Sequence, residues 1–498
     1  MNYKIVSKLT GLLILFLAIC MIFSLLWSVW YSEWNVAFSF LYTILICIIL
    51  GGGLVWYGAG TEEEVLRKEG MAVVGIGWLL SGIIGSLPFI LSHTFRFQTI
   101  EGVQIENGLF SQIINSLFET LSGFTTTGST VLTNIEIVPK GLLFWRSFTH
   151  WLGGMGIIVL FIAILPMLGA GAKRLFKSEV PGPIPEGLRP RIKTTALILW
   201  GIYMAISAVQ TIAYLLAGMD FFDALCHTFG TMATGGFSPY NASIGHYQSA
   251  WIEYITVVFM VVAGINFGLY FQVIRGDYKT IFKDSEMRVF FGIVALGTFL
   301  IMFDTMRHQI FDNLIDSFRY VWFQVVSIIT TTGYGTSDFN TWPPFSKLAL
   351  ITLMFFGASS GSTGGGMKII RLMILVKLAY YQIYKTFHPQ SVVTLKIGGK
   401  PIGQDVIDGV TGLFIIGMSI FVASTLAMGM LGLDIVTATT SVAATLWNIG
   451  PGLEKVGSIE NFAHIPNAGK ILLTFCMLLG RLEFYTILAL LLPTFWRN

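Results

Sequence analysis

The chain has 498 residues, of which 54% are hydrophobic and only 11% charged, with a formal net charge of +3 at pH 7. Soluble domains carry roughly 25% charged residues, so this composition excludes an ordinary soluble enzyme and places the chain in a membrane. Cys20, Cys47, Cys226 and Cys476 lie far apart, mostly within apolar stretches, with no Cys-x-x-Cys or His/Cys ligand spacing, and are expected to be packing residues.

Crossing a bilayer as a helix takes about 20 apolar residues. Taken in chain order, such runs fall at roughly 10–30, 36–58, 72–92, 142–168, 195–217, 251–274, 288–304, 346–378, 406–430 and 468–493, several of them long enough to tilt or break. Lys4 and Lys8 ahead of the first run imitate a secretory signal. That run continues to Trp27 and Trp30 with no small-residue cleavage site, and a second span follows at once, so it is expected to remain a membrane helix.

Basic residues alternate between connections: Lys173, Arg174, Lys177, Arg189, Arg191 and Lys193 in one, Arg275, Lys279, Lys283 and Arg288 in the next, and Lys368, Arg371, Lys377, Lys385, Lys396 and Lys400 in a third. Lys and Arg concentrate on the cytoplasmic side, so both termini are expected inside, with Lys4, Lys8 and Arg497. The opposite connections carry Glu101, Glu106, Glu136, Asp220, Asp304, Asp312, Asp338, Asp434 and Glu460. Those acids either draw cations to an outer mouth or form a solvated face.

Between the long runs, Thr330-Thr331-Thr332-Gly333-Tyr334-Gly335 has three partial copies: Thr125-Thr126-Thr127-Gly128, Ala233-Thr234-Gly235-Gly236 and Trp447-Asn448-Ile449-Gly450. Gly128, Gly236, Gly333 and Gly450 are spaced by 108, 97 and 117 residues, a period suited to a helix, re-entrant loop, helix unit. A pore selective for potassium replaces the ion's water with backbone carbonyls and a threonine hydroxyl, and needs glycine where the carbonyls turn toward the axis. Four such strands in one chain can close a ring.

Asn115 and Asp223 each stand thirteen residues before their glycine and are expected to cap half-helices whose negative dipole ends face the ring; segments from Ser317 and Asp434 play the same part in the other units. Glu119, His227, Gln324 and Ser441 fall nine residues before the glycines, where the alternatives are a proton relay and hydrogen bonds that hold the half-helix in place.

After Phe356 the eighth span reads Gly357-Ala358-Ser359-Ser360-Gly361-Ser362-Thr363-Gly364-Gly365-Gly366, which a continuous helix should not contain, because each interior Gly costs about 1 kcal/mol relative to Ala. Broken backbone at membrane depth must face protein or water, so this segment is expected below the ring, where the alternatives are a gate, which is preferred, and passive structural relief. Gly366 is followed by Met367, which rules out a Walker phosphate loop. Arg481 lies in the last span, about 20 Å below its start at helical rise. It is expected either to face the pore as a barrier to cations or to neutralise a buried carboxylate.

These motifs, together with Gly480-Arg481, make the chain similar to the membrane subunit of the Trk/Ktr/HKT superfamily of potassium transporters, TrkH type, over essentially its whole length. The resemblance implies an all-α polytopic membrane protein: two N-terminal helices (1–70), then pore repeats at 71–178, 190–276, 285–385 (with a broken second helix) and 400–498 around one pore. It implies a homodimer with a pore in each protomer, placed in the bacterial inner membrane. It further implies a cytosolic TrkA-type regulatory subunit that carries the nucleotide, with K⁺ as the transported ion and no covalent cofactor. Superfamily members that pass sodium have Ser at a filter glycine; all four positions here are Gly. The rival readings are a proton- or sodium-coupled symporter and a membrane enzyme. The seven histidines are scattered without His-Glu-x-x-His spacing, so nothing in the pattern supports the enzyme, and no nucleic-acid partner is expected.

Overall fold

The computed structural model describes residues 1–60, 65–100, 102–156, 192–391 and 394–496. Lys173, Arg174, Lys177, Arg189, Arg191, Arg497, Glu101 and the second half of the run at 142–168 lie outside the described residues.

Among the described residues the architecture is helical, with two small two-stranded hairpins as its only sheets. Helices Tyr3–Trp30 and Trp34–Tyr57 form an N-terminal pair. They cross closely because Gly11 and Gly51 face each other; a Cβ on Gly11 would stand 2.7 Å from the Gly51 carbonyl oxygen. Small residues allow such close backbone approach where helices pack in lipid. Glu33, between the two helices, accepts from Lys140 N (2.6 Å) and Gly141 N (2.9 Å) and so caps a helix of the next unit.

A long helix, a short helix and an inner helix then recur four times. The long helices are Arg67–Leu91, Ile192–Leu216, Ser285–Arg307 and Gln404–Met430. The short ones are Leu109–Phe124, Phe221–Met232, Leu314–Ile329 and Ile435–Leu446. The inner ones begin at Lys140, Ala250, Pro344 and Asn467.

Three of the short helices are capped by side chains: Asp220 accepts from Phe222 N, Asn313 from Asp316 N and Asp434 from Thr437 N. The caps expected at Asn115 and Asp223 are corrected by this. The first short helix starts at Leu109, so Asn115 is buried inside it and donates to Gln98 Oε1 (3.1 Å). Asp223 sits in the first turn of the second and accepts from the hydroxyls of Tyr240 (2.7 Å) and Tyr247 (2.9 Å).

Six helices are long and apolar enough to cross a membrane, and two bent pairs pass the same test together. Several runs are long enough to tilt or break, and the sequence places a break only in the eighth; the structure bends two more. Ala250–Gly264 meets Phe267–Ile274 at 91°, Asn467–Arg481 meets Tyr485–Leu491 at 119°, and Lys140–Gly154 ends at a glycine pair. The run at 346–378 is two helices, Pro344–Met354 and Ile369–Phe387, joined by non-helical residues. The four inner helices end at Gly154, Gly264, Met354 and Arg481. Glycines at these ends admit close neighbours: a Cβ on Gly154 would stand 2.7 Å from Ala233 Cα of the second repeat, one on Gly357 would crowd the Gly365 carbonyl of its own segment, and one on Gly480 would overlap the Leu446 carbonyl of its own repeat.

Candidate functional site

Each short helix ends four residues before its repeat's glycine and leads into a strand with one repeated conformation. The residue two before the glycine has left-handed backbone in every copy: Thr126 (φ 54°), Thr234 (53°), Thr331 (59°) and Asn448 (54°). Gly128 (83°), Gly236 (79°), Gly333 (79°) and Gly450 (107°) are left-handed as well. The intervening amide turns back to the helix end in all four, from Thr127 to Ser122 O, Gly235 to Gly230 O, Thr332 to Ser327 O and Ile449 to Ala444 O, at 2.8–2.9 Å. A left-handed threonine costs roughly 1–2 kcal/mol. Its recurrence at equivalent positions means the turn is fixed by the helix end behind it.

The four strands close a ring. A Cβ on Gly128 would overlap the Gly235 carbonyl oxygen, one on Gly236 that of Thr332, and one on Gly333 that of Ile449, while one on Gly450 would stand 2.8 Å from that of Thr127. Each glycine thus packs on the carbonyl preceding the next repeat's glycine, in the order one, two, three, four and back to one. Ser129 Oγ donates to Gly450 O (2.8 Å), and Asn448 Nδ2 to Thr127 Oγ1 (2.9 Å), which seals the joint between the last and first repeats. Thr125, Thr126, Thr127, Ala233, Thr234, Thr330, Thr331, Thr332, Asn448 and Ile449 are buried around it. A cavity of about 180 Å³ touches all four glycines, together with Ser129, Arg146 and Glu460.

The ring is held from behind. Arg146, on the first inner helix, pairs with Glu119 at 2.6 Å, donates to Ser238 O (2.9 Å) and lies 3.5 Å over the Phe237 ring. Glu119 also accepts from Thr130 Oγ1 (2.8 Å) and Val131 N (2.9 Å), so the pair ties the loop after Gly128 to the loop after Gly236. Both side chains are buried, and removing either would strand a charge at a cost of roughly 3–5 kcal/mol. His227 is engaged by Asp223 O (2.8 Å) and Ser238 Oγ (3.0 Å), and Tyr334 donates its hydroxyl to His227 O (3.1 Å). Ser441 donates to Ala438 O (3.1 Å). These contacts match the scaffold alternative for Glu119, His227 and Ser441. His150, unremarked in the sequence, stacks on Phe237 at 4.0 Å against Gly235.

The acids expected on the outer side have mostly local partners. Asp220, Asp338 and Asp434 cap helices, Glu106 pairs with Arg96, Glu136 accepts from Asn241, and Asp304 accepts from Ser346. Of that set Glu460 lines the cavity over the ring.

The glycine-rich segment lies directly under the ring. Gly365 N donates to Thr331 Oγ1 (2.7 Å), and a Cβ on Gly365 would stand 2.9 Å from Trp447 O. A Cβ on Gly364 would stand 3.2 Å from Thr330 O. The segment is folded, not loose: Gly357 N donates to Met367 O (2.8 Å), Ser359 N to Gly264 O (3.0 Å) and Phe267 N to Gly361 O (3.0 Å), with Gly361 and Gly366 left-handed. Lys368 donates to Gly364 O. Lys368 and Arg371 were counted above as basic residues of a cytoplasmic connection; both are buried, and Arg371 pairs with Glu483 at 2.6 Å.

Arg481 ends the last inner helix and is only partly buried. It donates to Thr363 O (3.0 Å) in the glycine-rich segment and to the carbonyls of Gly153 and Gly154 at the end of the first inner helix. Arg481, from repeat four, thus joins repeats one and three, which are diagonal in the ring.

A polytopic helical bundle with four re-entrant strands whose carbonyls meet in a ring defines a pore-loop membrane protein. The family model TrkH, described as cation transport protein, matches residues 36–494. The chain is 37% identical over 505 residues to the Trk system potassium uptake protein TrkH of Vibrio parahaemolyticus and 36% over 504 residues to that of Escherichia coli K12, covering 100% of each chain. It is 33% identical to the Trk system potassium uptake protein TrkG of Escherichia coli, covering 93% of this chain and 92% of that one. The solved structure described as the potassium transporter TrkH from Vibrio parahaemolyticus superposes with a TM-score of 0.87 at 35% identity over 100% of both chains. This chain belongs to the TrkH family of cation transport proteins.

Proposed function

We propose that the chain takes up potassium across the bacterial inner membrane through a channel-like pore. The observation that carries this reading is the closed ring of four backbone carbonyls, each set by a left-handed glycine from a different repeat. Carbonyls fixed around an axis substitute for the hydration shell of a monovalent cation, and the absence of a side chain at all four glycine positions fits potassium. The names of the relatives, potassium uptake proteins, support the same ion. One conserved geometry per strand, with only the third repeat continuing to Tyr334-Gly335, supplies few stacked sites and implies moderate discrimination against sodium.

In this reading the filter residues are Thr125–Gly128, Ala233–Gly236, Thr330–Gly333 and Asn448–Gly450. Gly357, Gly361, Gly364, Gly365, Gly366 and Arg481 form the gate beneath. The working units are the repeats at 71–178, 190–276, 285–385 and 400–498 behind a two-helix segment at 1–70, with both termini cytoplasmic. The functional assembly is a homodimer controlled by a cytosolic TrkA-type subunit that holds the nucleotide, a partnership suited to relatives named as parts of a Trk system.

The second reading is a symporter driven by H⁺ or Na⁺. A coupled carrier needs an ionisable group free to bind the coupling ion near the midplane. Glu119 is held by Arg146, and His227 by Asp223 and Ser238, which favours uncoupled flow. Purified protein in liposomes, given a K⁺ gradient with no H⁺ or Na⁺ gradient, is expected to take up K⁺. No uptake there, with uptake restored by either second gradient, would establish coupling instead.

A further inference from the structure

Glu286 is a buried carboxylate in the first turn of the third long helix, and neither the filter nor the gate described above uses it. Its Oε1 accepts two backbone amides, Ser360 N (2.8 Å) and Ile370 N (3.0 Å). Ser360 lies in the first half of the glycine-rich segment, and Ile370 is the second residue of the helix that follows it. One oxygen therefore pins both ends of the stretch whose middle, Gly364 and Gly365, packs under Thr330 and Thr331.

The geometry is specific. The helix Ile369–Phe387 has no side-chain cap from its own N-cap residue, Lys368, so Glu286 supplies from another helix an acceptor for one of its unpaired amides. Ser360, whose amide Glu286 accepts, is followed by left-handed Gly361. Glu286 is itself fixed, because Asp284 caps its helix by accepting from Met287 N (2.8 Å).

We propose that Glu286 is a positioning residue that latches the glycine-rich segment in the closed arrangement across the pore. Opening then requires the two amides to leave Oε1 together, which couples the start of the segment to the helix behind it. This rests on the gate reading given above.

The test compares K⁺ flux in liposomes for Glu286→Ala, Glu286→Asp and Glu286→Gln, each without any cytosolic partner, alongside a deletion of residues 361–366. Loss of bonds to a charged acceptor should move the closed–open balance by about tenfold, so Glu286→Ala is expected to raise basal flux by that order. Glu286→Asp, one methylene shorter, should give a smaller rise. Glu286→Gln, which keeps an Oε1 acceptor, should stay close to the parent protein. The K⁺/Na⁺ reversal potential should be unchanged in all three, since the ring is untouched. If the alanine variant does not fold, the aspartate and glutamine variants decide. Raised flux in the deletion with parental flux in folded Glu286→Ala or Glu286→Asp would overturn the latch and leave the gate standing. Parental flux in a folded deletion protein would remove the gate, and the latch with it.

Discussion

Arg481→Gln is expected to speed K⁺ conduction while leaving thermal stability in detergent near that of the parent. At an effective dielectric near 20, a fixed cation opposes a K⁺ passing at about 4 Å by roughly 4 kcal/mol. Arg481 bridges Thr363 to Gly153 and Gly154 between diagonal repeats, which in the proposed gate would put its charge on the ion's route. Gln removes that charge and can still donate to one of the carbonyls. Its loss also frees Thr363, so the barrier and the brace on the glycine-rich segment weaken together. The contrary outcome is a lowered melting temperature with no gain in flux, which would mean that the guanidinium serves to balance buried charge, at roughly 3–5 kcal/mol, instead of obstructing the pore.

The four filter glycines should not respond equally to serine. Gly128, Gly236 and Gly333 combine a left-handed φ with a Cβ that would overlap the neighbouring carbonyl oxygen, and at Gly333 it would also stand 2.7 Å from Pro451 Cδ. The conformational cost is roughly 1–2 kcal/mol for each before any collision is counted. In the proposed filter, the carbonyl that must move is the one that would face the ion. Serine at these three positions is therefore expected to lower the K⁺/Na⁺ permeability ratio by about tenfold or more, a shift of about 1.4 kcal/mol between the two ions. At Gly450 the Cβ would stand 2.8 Å from Thr127 O, a contact that a small shift can relieve, so Gly450→Ser is expected to be the mildest. Reversal potentials for the four variants give the ranking directly, and an equal effect at all four would show that strain, not contact with the next carbonyl, controls selectivity.

The ring was legible in the sequence because its requirement is steric: a left-handed residue beside a neighbouring carbonyl admits only glycine, so the same letter recurs once per repeat. The starts of the first two short helices were misplaced because Asn and Asp also serve inside helices. Asn115 bonds to Gln98, and Asp223 takes two tyrosine hydroxyls one turn past the true cap at Asp220.

The bends at Gly264 and near Gly480 were not placed from the sequence, since a single glycine there looks like ordinary small-residue packing. Asn266, which caps the helix after the bend by accepting from Gly268 N (2.8 Å), was the available signal. Lys368 and Arg371 misled in the opposite way. Charge counting assigns basic residues to a water-exposed connection, and it cannot register that carbonyls of a broken segment and Glu483 receive them in the interior. The partnership of Glu119 with Arg146 joins residues of a short helix and the next inner helix, and the bonds from Glu286 to Ser360 and Ile370 span 74 and 84 residues. Neither carries a local pattern.

The central claim is that the carbonyl ring selects potassium. It is tested most directly by the reversal potential of the purified protein in a planar bilayer, with equal K⁺ on one side and Na⁺ on the other. The account predicts a reversal displaced well toward the potassium equilibrium potential. A reversal at zero, with measurable current, would contradict it.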